Sequence, residues 1–133
     1  MTSRIASCSC GQLRLICEGD PVRISICHCL ECQKRTGNIF AVQARFPRER
    51  VTIEGRGTPW TRRGDSGDSA TFQFCPACGS TVYWEPSAAP ALLYVAVGAF
   101  ADPSFPPPRV SVYEERMHPW ALAAGELPLE HHV

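Results

Sequence analysis

Seven cysteines lie in three short motifs whose spacing suits metal binding. The chain has eight cysteines among its 133 residues. Thiolates separated by one or two residues on a tight turn are typical ligands of tetrahedral Zn²⁺. The motifs are Cys8-Ser9-Cys10-Gly11, Cys27-His28-Cys29-Leu30-Glu31-Cys32 and Cys75-Pro76-Ala77-Cys78-Gly79.

The first and third motifs together predict a structural zinc site. Cys75 and Cys78 flank a turn that resembles a zinc-ribbon knuckle, which supplies two of four ligands. Cys8 and Cys10 are the natural partner pair. Closing a loop of about 65 residues costs on the order of 4 kcal/mol in chain entropy, whereas Zn²⁺ binding in small zinc peptides supplies roughly 10–16 kcal/mol. Two disulfides or four buried thiols are the alternatives.

The middle motif offers three sulfurs, those of Cys27, Cys29 and Cys32. A zinc ion with three protein ligands keeps one position for water or substrate, which is typical of catalytic sites. His28 is badly placed as a fourth ligand, because neighbouring side chains on an extended chain point to opposite sides. We expect it to form a hydrogen bond near the site or to lie in a solvated loop. A second structural site, completed by His28 or Cys17, is the alternative.

Cys17 stands apart from the motifs. It alternates with Leu13 and Leu15 on an apolar face, so we predict a buried structural thiol. The pairs Cys29/Cys32 and Cys75/Cys78 also have the Cys-x-x-Cys spacing of redox proteins. Neither pair lies in a βαβ pattern, and further cysteines flank both. A thiol-redox or metal-handling protein is therefore the weaker alternative.

The elements that position these cysteines are mostly β-strands. Apolar residues alternate with polar ones at a period of two, and glycine-rich turns separate the runs. Residues 29–36 and 119–124, each followed by a glycine, favour short helices. The pattern predicts one mainly antiparallel β domain over residues 1–133, of sandwich or open-barrel type. The predicted strands are 13–17, 22–26, 39–46, 51–54, 70–74, 81–84, 92–97 and 110–113.

Composition excludes several classes of protein. The 13 basic and 13 acidic residues balance, which argues against a protein that binds a phosphate backbone. No apolar run approaches the roughly 20 residues of a membrane-spanning helix. Residues 1–5 lack the apolar core of a signal peptide. We therefore expect a cytoplasmic protein with neither a nucleic-acid nor a membrane partner.

Taken in order, the motifs resemble those of the glutathione-dependent formaldehyde-activating enzymes, or S-(hydroxymethyl)glutathione synthases, a family that includes centromere protein V. The resemblance runs over about residues 4–129. Ser80 stands where many relatives have threonine, and Phe100-Ala101 replaces a more usual leucine-acid pair. The matching stretches are Ser7-Cys8-Ser9-Cys10-Gly11, Cys27-His28-Cys29 with Cys32 and Lys34-Arg35-Thr36-Gly37, Phe74-Cys75-Pro76-Ala77-Cys78-Gly79-Ser80, Val97-Gly98-Ala99-Phe100-Ala101-Asp102-Pro103 and His118-Pro119-Trp120.

This resemblance implies a single-domain, mainly β "tent" of stacked antiparallel sheets with zinc-binding knuckles. It implies a zinc-dependent carbon–sulfur lyase that acts on a thiol–aldehyde adduct, with glutathione and formaldehyde as the partners. A zinc-stabilised binding module without catalytic activity is the alternative. Two Zn²⁺ ions per chain are implied, a structural one at Cys8, Cys10, Cys75 and Cys78, and one in an open catalytic site at Cys27, Cys29 and Cys32.

Glutathione carries two carboxylates, so its pocket should offer cations. Arginine in particular supplies paired donors that match a carboxylate. Lys34 and Arg35 adjoin the middle motif, whereas Arg62, Arg63 and Arg116 qualify only if folding brings them near. A solvated surface charge is the alternative for each.

Two histidines and a tryptophan complete the candidates. His28 and His118 are candidates for proton transfer, because histidine titrates near neutral pH. Trp120 is expected to pack in the core, with a pocket wall as the alternative.

Overall fold

Alternating apolar residues form ten β-strands in the part of the chain that the structure describes. The structure is a computed structural model in which residues 2–64 and 67–121 are described. One α-helix, α1 (Leu30–Thr36), follows the third strand. The strands are β1 (Ser3–Ser7), β2 (Arg14–Glu18), β3 (Arg23–Cys27), β4 (Ala41–Pro47), β5 (Val51–Glu54), β6 (Thr58–Arg63), β7 (Ser69–Phe74), β8 (Thr81–Pro86), β9 (Leu92–Ala96) and β10 (Val110–Val112).

The strands make two sheets. One has three strands in the order β1-β2-β5, and the other has seven in the order β10-β3-β4-β9-β8-β7-β6. β10 runs parallel to β3, with Val110 opposite Ser25, whereas the other pairs among the described strands are antiparallel. The prediction of a mainly β domain with two sheets is confirmed.

The core lies between the two sheets. Leu13 and Leu15, from β2 and the turn before it, are fully buried, and so are Phe46, Leu93 and Val95 of the larger sheet. Removing a Val, Leu or Phe side chain of this kind from water contributes about 1.5–3 kcal/mol. Cys8 and Cys75 belong to the same buried cluster, so packing of the core helps to position the first and third motifs.

The opposite face of the larger sheet carries a row of aromatic rings. Trp60 pairs with Phe72, Phe72 with Trp84, and Trp84 with Tyr94. Neighbouring ring centroids are 5.9, 5.4 and 6.4 Å apart. Pairs of this kind contribute roughly 0.5–1.5 kcal/mol beyond their buried area. The row stiffens the sheet on the side away from the core.

Cys27 lies on the same face as the aromatic row. Arg23 and Cys27 are four positions apart on β3, and alternate residues of a strand share a face. Arg23 is opposite Arg45 on β4, which is in turn opposite Tyr94 on β9. The middle cysteine motif therefore starts on the aromatic side of the sheet.

Helix α1 is capped at both ends. Cys29 is the N-cap residue, and its Sγ atom accepts a hydrogen bond from the Cys32 backbone N–H at 3.2 Å. Gly37 ends the helix with a φ of 68°, a left-handed conformation that glycine adopts without steric cost. The helix predicted over 29–36 is thus confirmed, beginning one residue later.

Sequence patterning missed two strands, β1 and β6. In the second predicted helix, 119–124, Ala121 N–H donates to the His118 carbonyl in a turn at 2.9 Å, and the residues after Ala121 lie outside the described part. Within residues 2–64 and 67–121, no helix has the length and apolarity that crossing a bilayer requires.

Candidate metal centres

The structure brings the first and third motifs together as a cluster of four sulfurs, which we call the closed cluster. The Sγ atoms of Cys8, Cys10, Cys75 and Cys78 all lie within 4.8 Å of one another. Those of Cys8 and Cys10 are 3.6 Å apart, as are those of Cys10 and Cys75. A tetrahedral ion with Zn–S bonds of about 2.3 Å requires sulfur separations of about 3.8 Å. The donor set and its spacing therefore fit Zn²⁺.

Backbone amides surround the closed cluster. Leu13 N–H donates to Cys8 Sγ at 3.3 Å, and Ala77 N–H donates to Cys75 Sγ at 3.3 Å. Hydrogen bonding with the side chain and backbone of Ser80 lowers the pKa of Cys78 to about 5. These contacts favour thiolates, the form in which cysteine binds metal.

The middle motif forms a second cluster of three sulfurs, the open cluster. Cys27 ends β3, Cys29 caps α1, and Cys32 lies in the first turn of that helix. Their Sγ atoms lie within 4.8 Å of one another, and those of Cys27 and Cys32 are 3.3 Å apart. Cys27 and Cys32 are buried, whereas Cys29 is half-buried. This cluster, too, could hold a metal ion, and its least buried residue is Cys29.

The three thiols of the open cluster differ in their pKa values. Hydrogen bonds with the thiols of Cys27 and Cys32 lower the pKa of Cys29 to about 2, and the nearby Arg62 charge acts in the same direction. Hydrogen bonding with Cys29 and Cys32 raises the pKa of Cys27. The cluster therefore concentrates negative charge on Cys29, at its accessible side.

His28 makes the hydrogen bond expected of it, but it does not lie in a solvated loop. The residue is fully buried, and its ring packs against Phe40 with centroids 5.9 Å apart. Its Nε2 is 3.1 Å from Ser111 Oγ. The solvated alternative was wrong because β10 pairs with β3 and covers the residue, a contact between distant parts of the chain.

Gln33 is a site residue that sequence analysis missed. Its amide nitrogen donates to the His28 carbonyl at 3.0 Å and to the Arg116 carbonyl at 3.2 Å. Its Oε1 lies 3.0 Å from Nε2 of His118. Gln33 thus ties the segment after β10 to the open cluster. The only signal in the sequence is that Gln33 follows Cys32.

The predicted position of Trp120 was wrong. The side chain is 49% exposed, so it is not a core residue. It packs edge-on against His118, with ring centroids 5.6 Å apart.

Of the five predicted cations, Arg35 and Arg62 lie nearest to the open cluster. The Arg35 guanidinium lies over the neighbouring rings of Phe72 and Trp84, 4.6 and 4.4 Å from their centroids. Its Nε and Nη2 atoms are buried and have no hydrogen-bond partner among the described residues. Arg62 lies 5.6 Å from the Phe72 centroid. Both guanidinium groups act on the charges of the open-cluster thiols.

The other three cations are solvent-exposed. Lys34 forms an exposed ion pair with Glu31 at 3.7 Å, an interaction of little energetic consequence. The Arg63 side chain projects from the edge strand β6. Arg116 contributes its backbone carbonyl to Gln33.

Cys17 lies apart from both clusters, as predicted. It is fully buried, and burial raises the pKa of its thiol to about 12. It is therefore a neutral thiol of the core near pH 7.

Comparison with known proteins identifies a family whose model spans both clusters. The family model described as glutathione-dependent formaldehyde-activating enzyme matches residues 3–116, a range that contains both clusters. A crystal structure of a Rhodobacter sphaeroides protein is similar, with a TM-score of 0.55 and 18% sequence identity over 77% of this chain and 91% of that one. At this identity the likeness concerns the fold alone. No curated protein matches the sequence significantly.

Proposed function

Since the chain belongs to the glutathione-dependent formaldehyde-activating enzyme family, we propose that it is a zinc-dependent carbon–sulfur lyase that joins a thiol to an aldehyde. Family membership supports an activity related to glutathione and formaldehyde. The product would be S-(hydroxymethyl)glutathione. The observation that carries the proposal is the open cluster, whose three sulfurs converge and whose least buried residue is Cys29.

The donor chemistry of both clusters fits two zinc ions of different kinds. Four thiolates complete a tetrahedral shell at the closed cluster, whereas Cys27, Cys29 and Cys32 supply three ligands at the open cluster. When bound there, Zn²⁺ supplies Lewis acidity at a position that the protein leaves free.

The net reaction needs no oxidant or reductant. The thiol loses its proton, its sulfur forms a bond to the aldehyde carbon, and the carbonyl π electrons move to oxygen. That oxygen takes up a proton, so the adduct is a neutral hemithioacetal. The protein must therefore favour a thiolate and hold the aldehyde close to it.

Arg35 and Arg62 are the residues that we assign to anion binding. The guanidinium of Arg35 lies over the rings of Phe72 and Trp84, and its charge acts on the thiols of the open cluster. Together with Arg62 it makes a positive region beside that cluster, which would attract a carboxylate. We assign this positive region to a carboxylate of glutathione.

The same proposal includes a cytoplasmic location. All eight cysteines lie among the described residues and none of them forms a disulfide, as is usual in a reducing compartment. Glutathione-dependent chemistry requires such a compartment as well.

Thiol binding tests the proposed function directly. Zinc-replete protein would be titrated with glutathione and with S-methylglutathione, which has the same charges but no ionisable thiol. We expect glutathione to bind at least tenfold more tightly, and cobalt-substituted protein to change its visible spectrum only with glutathione. Equal responses to the two compounds would contradict thiol activation and favour the alternative of a zinc-stabilised binding module.

The open-cluster variant Cys29→Ser provides the second test. It should abolish both the spectral change and the formation of S-(hydroxymethyl)glutathione. A matched variant, Cys17→Ala, removes a cysteine outside both clusters and should retain both properties. If Cys29→Ser kept full activity, the open cluster would not be the site of the reaction.

A further inference from the structure

A cavity lies between helix α1 and the β6–β8 part of the larger sheet. Its volume is about 440 Å³, within the usual range of small-molecule sites. A water molecule accounts for about 30 Å³ of liquid volume, so formaldehyde would occupy a small part of this space. The lining includes Lys34 and Arg35 on the helix, Trp60, Phe72 and Phe74 on the sheet, and Gly79 beside the closed cluster.

The cavity adjoins the open cluster through two elements. Helix α1 carries both Cys32 and Arg35, and residues three apart lie on the same side of a helix. On β6, Trp60 and Arg62 are two positions apart and share a face. Arg62 also reaches over Phe72, which lines the cavity. A molecule that reacts at the open cluster can therefore extend one end into this cavity.

The walls of the cavity are largely aromatic. The ring centroids of Trp60 and Phe72 are 5.9 Å apart, and Trp60 is 50% exposed. A large indole left half exposed beside a cavity provides apolar surface for a ligand to cover. The helix side contributes the carboxylate of Glu31, which is paired with Lys34, and the positive charge of Arg35, so its net charge is positive. The cavity therefore suits an apolar group attached to an anionic molecule.

We propose that this cavity accepts an apolar substituent, aromatic or branched aliphatic, on the aldehyde carbon. The substrate class then extends to aldehydes larger than formaldehyde. This inference rests on the proposed function, because the substituent is carried by the carbon that forms the new bond to the thiol sulfur. The thiol proton again passes to the carbonyl oxygen, so the balance of atoms and electrons is unchanged.

Stable thioethers test the cavity separately from thiol activation. S-methylglutathione and S-benzylglutathione both lack an ionisable thiol and differ in the apolar group on sulfur. Calorimetry with the zinc-replete full chain should show S-benzylglutathione binding about tenfold more tightly or better, because the ring leaves water. The variant Trp60→Ala should remove most of this difference, whereas Trp60→Phe should keep it.

A surface variant and a kinetic comparison complete the test. Ile5→Ala truncates an apolar side chain that is 49% exposed on the other sheet, and should leave both affinities unchanged. With glutathione as the thiol, Trp60→Ala should raise the KM for phenylacetaldehyde about tenfold and leave that for formaldehyde within twofold. Melting curves would verify that each variant folds.

Two results would overturn the inference. One is equal affinity of the wild-type protein for the methyl and benzyl thioethers. The other is a Trp60→Ala variant that folds and retains the benzyl preference. Either result leaves the proposed function standing if glutathione still binds more tightly than S-methylglutathione. Conversely, a benzyl preference without thiol-specific binding would support an apolar ligand site while contradicting the lyase.

Discussion

The side-chain amide of Gln12 donates a hydrogen bond to Sγ of Cys75 at 3.0 Å, although 63 positions separate the two residues. The same nitrogen donates to the Arg56 carbonyl at 2.7 Å, and the amide oxygen accepts from Arg56 N–H at 3.1 Å. A side chain at Gly55 would collide with the Gln12 backbone carbonyl, so glycine is required where this turn approaches. Gln12 therefore ties the β5–β6 turn to the closed cluster.

Replacing Gln12 should weaken the closed cluster. Gln12→Ala removes a donor to a thiolate, and hydrogen bonds to charged groups contribute about 1.5–3 kcal/mol. We expect a lower melting temperature and faster loss of one zinc ion to a chelator. Ser3→Ala, which removes an exposed hydrogen bond to Glu18, is the matched control. Equal zinc release from Gln12→Ala and the wild type would contradict this role.

The two clusters should differ in their effect on folding. Cys75→Ser or Cys10→Ser should destabilise the whole fold, because the closed cluster joins the start of the chain to the β7–β8 turn and metal binding there contributes to folding free energy. Cys29→Ser should leave the fold largely intact and lower the zinc content from about two ions per chain to about one. Elemental analysis and thermal melts measure both effects, and equally unfolded variants would refute the division.

Arg35 and Lys34 are neighbours with different environments, which makes them a matched pair. Arg35→Met removes the guanidinium charge that lies over Trp84 and acts on the open-cluster thiols, and should weaken glutathione binding about tenfold. Lys34→Met removes a charge at the exposed rim of the same cavity, where Lys34 is paired with Glu31, and should change affinity less than twofold. Calorimetric titration compares them, and equal losses would show that Arg35 is not the carboxylate donor.

The buried thiol of Cys17 should make stability depend on alkaline pH. Burial raises its pKa to about 12 from an unfolded value near 9, so between these values the folded state holds a proton that the unfolded state has lost. Stability from this group is complete below pH 9 and falls as pH rises toward 12. The Cys17→Ala variant has no thiol to titrate and does not lose this stability. The difference in unfolding free energy between the wild type and the variant should therefore shrink as pH rises from 9 to 12. A constant deficit from pH 8 to 11 would contradict the assignment.

Local patterning predicted most of the strands and the end of α1. It missed β1 because Ser3–Ser7 has a single apolar pair, Ile5 and Ala6, in place of an alternating run. It missed β6 because Pro59, Arg62 and Arg63 are typical of turns or surface loops. As the last strand of its sheet, β6 tolerates proline and charge. Whether such a segment forms a strand depends on neighbouring strands that supply hydrogen-bond partners for its backbone.

The sequence by itself determined which residues can bind metal, because Cys8/Cys10, Cys75/Cys78 and the middle motif are local and short spacing keeps their sulfurs close. It also determined the β class, because alternation is a property of each strand. Only the tertiary structure decided that His28 is buried, that Gln33 holds the last described segment, and that Arg35 lies over two neighbouring rings. Those contacts join elements distant along the chain, and their energies depend on packing and desolvation, which arise only when the sheets and helix come together.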